Sequence, residues 1–243
     1  MPLNNILLII TTEMRSVLRL LHLTKYITII RDKLDRLCGR VGYEFKFDKA
    51  LTELIRKGDT VWDIGANIGL YTMKFSDLVG SSSGYVYAFE PVPTCFHALQ
   101  KNCIGKKNIC LFNIALGKTE TILPMNINVD PLGATHSLVC SSSNTVLQKV
   151  DVKVMSGDEI IRIRQASVPH IIKIDVEGFE EEVLLGLQSC LKNIKCRAVV
   201  CEIHFAILND RGERFAPIRI QRMLQGLGFK VKWIDASHFG AYR

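Results

Sequence analysis

The chain has 243 residues, 48% of them hydrophobic and 23% charged, a composition that excludes a disordered or fibrous protein and suits one large domain with a full core. The net charge of +7 would favour an acidic partner, but no aromatic-interleaved basic patch or binding motif accompanies it, so nucleic acid is not expected. Eight cysteines without a C-x-x-C pair argue against a cysteine-spaced zinc site and suit a reducing, cytoplasmic setting.

Residues 3–10 are apolar, but Glu13 and Arg15 interrupt the run before the ~18–20 residues that a membrane span requires. A basic lead and a cleavage site are both missing, so neither a transmembrane helix nor a signal peptide is expected. Residues 13–38 then carry Met14, Val17, Leu18, Leu21, Ile27, Ile30 and Leu34 at helical spacing, with arginines and lysines between them. We read residues 1–57 as an N-terminal helical extension packed on the core, because Asp32 and Asp35 dilute the basic face. The second reading is a basic amphipathic helix in peripheral contact with a membrane. Gly39 and Gly42 break the pattern, residues 45–56 predict another helix, and Lys57-Gly58-Asp59 forms a turn.

From residue 58 the chain reads as one domain. Thr60-Val61-Trp62-Asp63-Ile64 is an apolar strand that runs into Gly65-Ala66-Asn67-Ile68-Gly69 and then a helix over residues 70–79. Residues 85–89 form the next strand, closed by Glu90-Pro91, and residues 93–103 the next helix. A third strand covers residues 108–114. Strand, helix, strand, helix, strand is the rhythm of a parallel sheet with helices on its faces. Residues 118–157 interrupt it. Two strands at residues 121–125 and 150–154 flank a segment rich in Gly, Ser and Asn, which predicts a β-hairpin-like insertion with a long loop. The rhythm resumes with a short helix over 158–164, a strand at 170–175 ending in Asp175, and a helix opened by Glu177 and Glu180-Glu181-Glu182. A strand over 197–203 followed by His204, a helix over 216–227 with Pro217 in its first turn, and a last strand over 229–234 complete the sequence-predicted elements.

Several of these strand ends carry chemistry. Glycines at 65 and 69 let the backbone turn sharply and let a ligand approach the main chain. A pyrophosphate site would prefer G-x-G-x-x-G; here the spacing is G-x-x-x-G and Asp63 precedes it, which suits a cationic, hydroxyl-rich ligand. Glu90, 27 positions after Asp63, is placed to accept both hydroxyls of a ribose. Asn113 and Ala115 close the third strand, where an adenine could pack. Asp175, Glu202 and His204 lie at the carboxyl ends of later strands, facing the same crevice. They read as a general-base group or a polar cluster that orients the substrate; a metal site is the weaker reading, and no metal is assigned. Glu177 reads as a helix N-terminal carboxylate.

Taken together, Gly58-Asp59, Asp63-Ile-Gly-Ala-Asn-Ile-Gly-Leu-Tyr-Thr72, Ala88-Phe89-Glu90-Pro91, Asn113-Ile-Ala-Leu-Gly117, Lys173-Ile-Asp-Val-Glu-Gly-Phe-Glu180 and Glu202-Ile-His204 resemble the FkbM family of S-adenosylmethionine-dependent methyltransferases over residues 58–234. The resemblance implies a class I methyltransferase fold: a Rossmann-like, three-layer α/β/α sandwich with a mostly parallel sheet over residues 58–243. It implies a transferase that uses S-adenosylmethionine to methylate a hydroxyl on a glycan, lipid-linked sugar or small metabolite. By position, Asp63, Gly65 and Asn67 would serve the methionine part, Glu90 the ribose, Asn113 and Ala115 the adenine, with Ala66 and Gly69 also in the cofactor-binding turn, and Asp175, Glu202 and His204 the acceptor. The sequence departs from the family at Ser156-Gly157-Asp158, where Leu-Asp is usual, and the usual final antiparallel strand is not legible. A nicotinamide-dependent oxidoreductase and a non-catalytic cofactor-binding protein are the rival readings.

Overall fold

The structure, a computed structural model, describes residues 43–80, 83–128, 136–137 and 147–243. The amphipathic segment 13–38 and most of the insertion's long loop lie outside the described residues, as do Cys38 and Cys140. Among the described residues, no helix is long and apolar enough to cross a membrane. Phe47–Arg243 make one compact unit, and the architecture below is that unit's.

Helix α1 (Tyr43–Leu54) leads through Gly58 into strand β1 (Thr60–Ile64), followed by α2 (Leu70–Val79), β2 (Tyr85–Phe89), α3 (Pro93–Asn102) and β3 (Ile109–Phe112). Short strands β4 (Ala115–Leu116) and β6 (His136–Ser137) accompany the long pair β5 (Thr121–Asn128) and β7 (Leu147–Met155). Then come α4 (Gly157–Arg162), β8 (Ile171–Ile174), α5 (Glu180–Leu185), α6 (Gln188–Lys192), β9 (Ala198–Glu202), α7 (Phe205–Asp210), α8 (Ala216–Gly226), β10 (Lys230–Trp233) and β11 (His238–Tyr242).

The main sheet has seven strands in the order β10-β11-β9-β8-β1-β2-β3. Neighbours from β9 to β3 pair in parallel, and β11 runs antiparallel between β9 and β10. Strand β11 is the antiparallel strand that was not legible in the sequence. Parallel strands covered on both faces must be apolar on both, and β1, β2, β8 and β9 are buried over nearly their whole length.

Alternation assigns the two faces. Trp62, Ile64, Phe89, Ile172, Ile174 and Val199 pack with Val183, Leu184, Leu187, Ile220 and Leu224 from α5, α8 and the turn after α5. Val61, Val86, Ile171 and Val200 pack on the other face with Phe47 and Leu51 of α1 and Phe75 and Val79 of α2. Each of these buried aliphatic side chains contributes about 1.5–3 kcal/mol relative to exposure. Three layers result, with the sheet in the middle.

A second sheet of four strands, β4-β7-β5-β6, follows β3 in the chain. Its hairpin runs longer than the sequence suggests, from Thr121↔Val154 to Asn128↔Leu147. Ser156 caps helix α4, its hydroxyl accepting from Glu159 N at 3.1 Å. Asp158 accepts from Ser189 N at 2.7 Å and Cys190 N at 2.8 Å, so the Ser-Gly-Asp departure caps two helices at once.

Candidate functional site

The turn after β1 is pinned from both sides. Gly65 N and Ala66 N each donate to Phe89 O at 3.0 Å, which ties the turn to the end of β2. Gly65 has φ +77°, and a Cβ there would stand 1.8 Å from Asp175 O; only a glycine fits between this turn and the end of β8. Gly69 begins α2 at φ +91°, where a Cβ would meet Leu99 Cδ1 at 2.5 Å. Ala66 is buried with Ala88, Leu99 and Cys103, so its side chain serves packing.

Asp63 is sealed from solvent and does not line the cleft. It sits opposite Lys173 in the β1–β8 register, with Lys173 Nζ 3.1 Å from its Oδ1. Thr72 Oγ1 donates to its other oxygen at 2.6 Å. Lys173 is itself buried and donates to Gly65 O at 2.7 Å. Burial opposes its charge, but Asp63 and Asp175 outweigh that and raise its pKa. The Asp63–Lys173 pair thus holds the turn from below, and its carboxylate is spent inside the fold.

A cleft of about 730 Å³, counted with its open mouth, lies at the carboxyl ends of the parallel strands. Gly65, Asn67 and Glu90 line it on one side, Ala115, Leu116 and Met125 on another, and Asp175, Glu177 and Phe179 beyond. The second sheet therefore supplies part of the wall through β4 and β5.

Glu90 is 6% exposed. Its two oxygens accept from Asn67 N and Val92 N, each at 2.8 Å. Asn67 stands at φ 50° to present that N–H. Burial pushes Glu90 up to about 7 against the pull of these two backbone donors and of Lys173. A carboxylate has about four lone-pair sites, so two remain for ligand hydroxyls. Asn113 does not line the cleft; its amide donates to Glu90 O at 2.8 Å and Pro91 O at 3.1 Å and fixes the loop that carries Glu90.

On the far side, Asp175, Glu202 and His204 come together: one ligand-capable atom of each lies within 4.8 Å of the others. His204 Nδ1 is 2.8 Å from Glu180 Oε1, and its Nε2 is 3.7 Å from Asp175 Oδ1. Burial works against charge on His204, but Glu180, Asp175 and Glu202 win and raise it to about 9. Glu202 Oε2 faces His238 Nε2 at 3.3 Å. His238 in turn meets Asp235 at 2.9 Å. Burial alone would raise Glu202, yet His238 and His204 hold it below the ordinary value. Glu177 lines the cleft at φ 53°, and burial pushes it up to about 7. Its side chain is therefore part of the cleft wall as well as lying just before α5.

Lys173, Glu180 and His238 are the polar residues that sequence reasoning missed. Lys173 sits in an apolar strand run, Glu180 in an acidic run that reads as a solvated helix start, and His238 in a strand without alternation. A lysine inside Ile-Ile-Lys-Ile was the one available signal, because buried lysines require a partner.

A family model for the methyltransferase FkbM domain matches residues 63–231. The chain belongs to the methyltransferase FkbM domain family. The hexuronic acid methyltransferase AglP of Haloferax volcanii is 29% identical over 161 residues, 65% of this chain and 62% of that protein. The 31-O-demethyl-FK506 methyltransferase FkbM of Streptomyces tacrolimicus is 26% identical over 204 residues, 73% of this chain and 75% of that protein. The matched region thus spans less than two thirds of the Haloferax relative. A crystal structure of a methyltransferase FkbM from Methylobacillus flagellatus KT superposes with a TM-score of 0.52 at 14% identity, covering 76% of this chain and 44% of that one. The fold is that of the class I methyltransferases, with the strand order and the single antiparallel strand described above.

Proposed function

We propose that this chain transfers a methyl group from S-adenosylmethionine to a hydroxyl oxygen of a sugar-like acceptor. The observation that carries the proposal is Glu90: a buried carboxylate at the end of β2, aimed into the cleft and braced by two backbone donors, inside a methyltransferase family match. A ribose offers two hydroxyl donors to such a group, and they would restore the charge that burial suppresses. When bound, S-adenosylmethionine supplies a methyl group on a positively charged sulfur.

The chain's own residues then have three tasks. The turn over residues 65–69 and Glu90 hold the donor in one place, which is much of the work of an in-line transfer. Phe179, Leu116 and Met125 wall the cleft and keep water from its apolar part. Asp175 and Glu177 face the cleft from the acceptor side and are the groups placed to accept the hydroxyl proton. The name of the Streptomyces relative supports an oxygen acceptor, and that of the Haloferax relative supports a uronic-type sugar. A nicotinamide-dependent reaction is disfavoured by the G-x-x-x-G turn. Incubation with methyl-labelled S-adenosylmethionine and a panel of hexuronates, neutral hexoses and lipid-linked sugars tests the proposal. Label in a base-stable ether on a sugar supports it; no label transfer to any hydroxylated acceptor counts against it.

A further inference from the structure

Each member of the Asp175, Glu202 and His204 group is braced from outside. Glu180, fully buried, holds His204 by Nδ1 at 2.8 Å, so Nε2 is the nitrogen that faces Asp175. His238 engages one oxygen of Glu202 at 3.3 Å. Lys173 Nζ stands 3.7 Å from Asp175 Oδ2, and Asp175 Oδ1 stands 3.7 Å from His204 Nε2.

That last separation is informative. It is too long for a hydrogen bond, which would close to ~2.7–3.2 Å. It falls in the range expected between two ligands of one cation: bonds of about 2.1 Å put neighbouring ligands ~3 Å apart and opposite ones ~4.2 Å apart. The bracing of His204 is also that of a metal ligand, whose second nitrogen is commonly fixed by a carboxylate so that the first points at the ion. Glu180 Oε1 also accepts from Gly178 N at 2.9 Å, which fixes the carboxylate that fixes the ring.

We propose that Asp175, Glu202 and His204 bind a divalent first-row metal cation at the acceptor end of the cleft. One imidazole nitrogen with two carboxylate oxygens suits Mn²⁺, Fe²⁺ or Zn²⁺ better than Ca²⁺, which takes oxygen alone. Three protein ligands leave coordination positions for oxygens from outside. Resting on the methyl-transfer reading, we assign those positions to the hydroxyl and carboxylate oxygens of the acceptor. The cation would draw an anionic sugar to a wall otherwise lined by Asp175 and Glu177, and would favour the deprotonated hydroxyl.

The test is calorimetric titration of the chelator-treated full chain with Mn²⁺, alongside a separate titration with S-adenosylhomocysteine. One Mn²⁺ should bind per chain. Asp175→Asn and His204→Gln should each weaken that binding at least tenfold, and Glu180→Gln should weaken it by about 10–100-fold through His204. Electron spin-echo modulation from a directly bound imidazole nitrogen should be present in the wild type and lost in His204→Gln. Circular dichroism establishes that each variant is folded; should His204→Gln fail to fold, the partly exposed Asp175→Asn carries the comparison. No saturable Mn²⁺ binding, or binding unchanged in the folded Asp175→Asn variant, overturns the metal site. Mn²⁺ binding without S-adenosylhomocysteine binding would retain the metal site and reject the methyl-transfer reading; the reverse result would retain methyl transfer and reject the metal.

Discussion

Lys173 Nζ lies 3.1 Å from Asp63 Oδ1, between two side chains that are 2% and 0% exposed, on residues directly opposite each other in β8 and β1. The pair joins the two central strands beneath the turn that lines the cleft, and Lys173 extends the link to Gly65 O. Removing one partner leaves the other as an uncompensated buried charge. Lys173→Met should therefore destabilise the protein by about 3–5 kcal/mol. Adding Asp63→Asn to it should recover part of that loss. Urea unfolding of the two single variants and the double variant measures the coupling; strict additivity would remove the pair from the account.

Gly65→Ala tests the close approach of turn and strand. Its methyl group would collide with Asp175 O, which is backbone and cannot swing away, at a φ that L-residues rarely adopt. We expect a loss of about 1–3 kcal/mol in stability from backbone strain and a displaced turn that no longer binds S-adenosylhomocysteine. Thermal melts and calorimetry on the same sample check both. Wild-type affinity in this variant would mean that the turn does not shape the cofactor site.

Glu90 makes the site sensitive to pH. Burial lifts its pKa from 4.5 to about 7. The folded chain thus keeps a proton that the unfolded chain sheds near 4.5. The stability this provides is complete below that value and is lost as pH rises through about 7. Glu90→Gln should flatten that part of the profile. Cofactor binding has the opposite sign: hydroxyl donors favour the ionised carboxylate, so affinity for S-adenosylhomocysteine should fall as pH drops below about 7. Calorimetry across this range, on wild type and Glu90→Gln, reads the difference; parallel profiles would exclude Glu90 as the source.

Asp175 separates chemistry from cofactor binding. Asp175→Asn should lower turnover by about 10²–10⁴, the usual contribution of a positioned proton acceptor, while S-adenosylhomocysteine affinity stays near wild type. Single-turnover kinetics with labelled donor gives the first quantity and calorimetry the second. Full turnover would place the proton elsewhere.

The sequence made the sheet's centre legible because parallel strands buried on both faces must be written as apolar runs, and Val61-Trp62, Val86-Tyr87, Ile171-Ile172 and Val199-Val200 are such runs. Strand β11 was not legible: His238-Phe-Gly-Ala-Tyr242 has neither a continuous run nor alternation, and only its pairing with β9 and β10 makes it a strand. The positions of Glu90 and Asp175 at strand ends were readable from order along the chain. The direction of a side chain was not. Asp63 looks identical in sequence whether its carboxylate faces the cleft or Lys173, because the partner stands 110 residues away on a neighbouring strand. Asn113 is a similar case, since its amide ties down the Glu90 loop rather than lining the cleft. The convergence of Glu180, His204, Glu202 and His238 depends on two separate chain segments and on the antiparallel strand that carries His238.

The central claim is that the cleft around Glu90 is an S-adenosylmethionine site. Calorimetric titration with S-adenosylhomocysteine tests it most directly, with NAD as a parallel ligand and Glu90→Ala as the paired variant. We predict one S-adenosylhomocysteine bound per chain, no NAD binding, and a loss in Glu90→Ala of about 1.5–3 kcal/mol, the worth of a hydrogen bond to a charged group. Absence of S-adenosylhomocysteine binding by the folded wild type, or equal affinity in Glu90→Ala, would contradict the account.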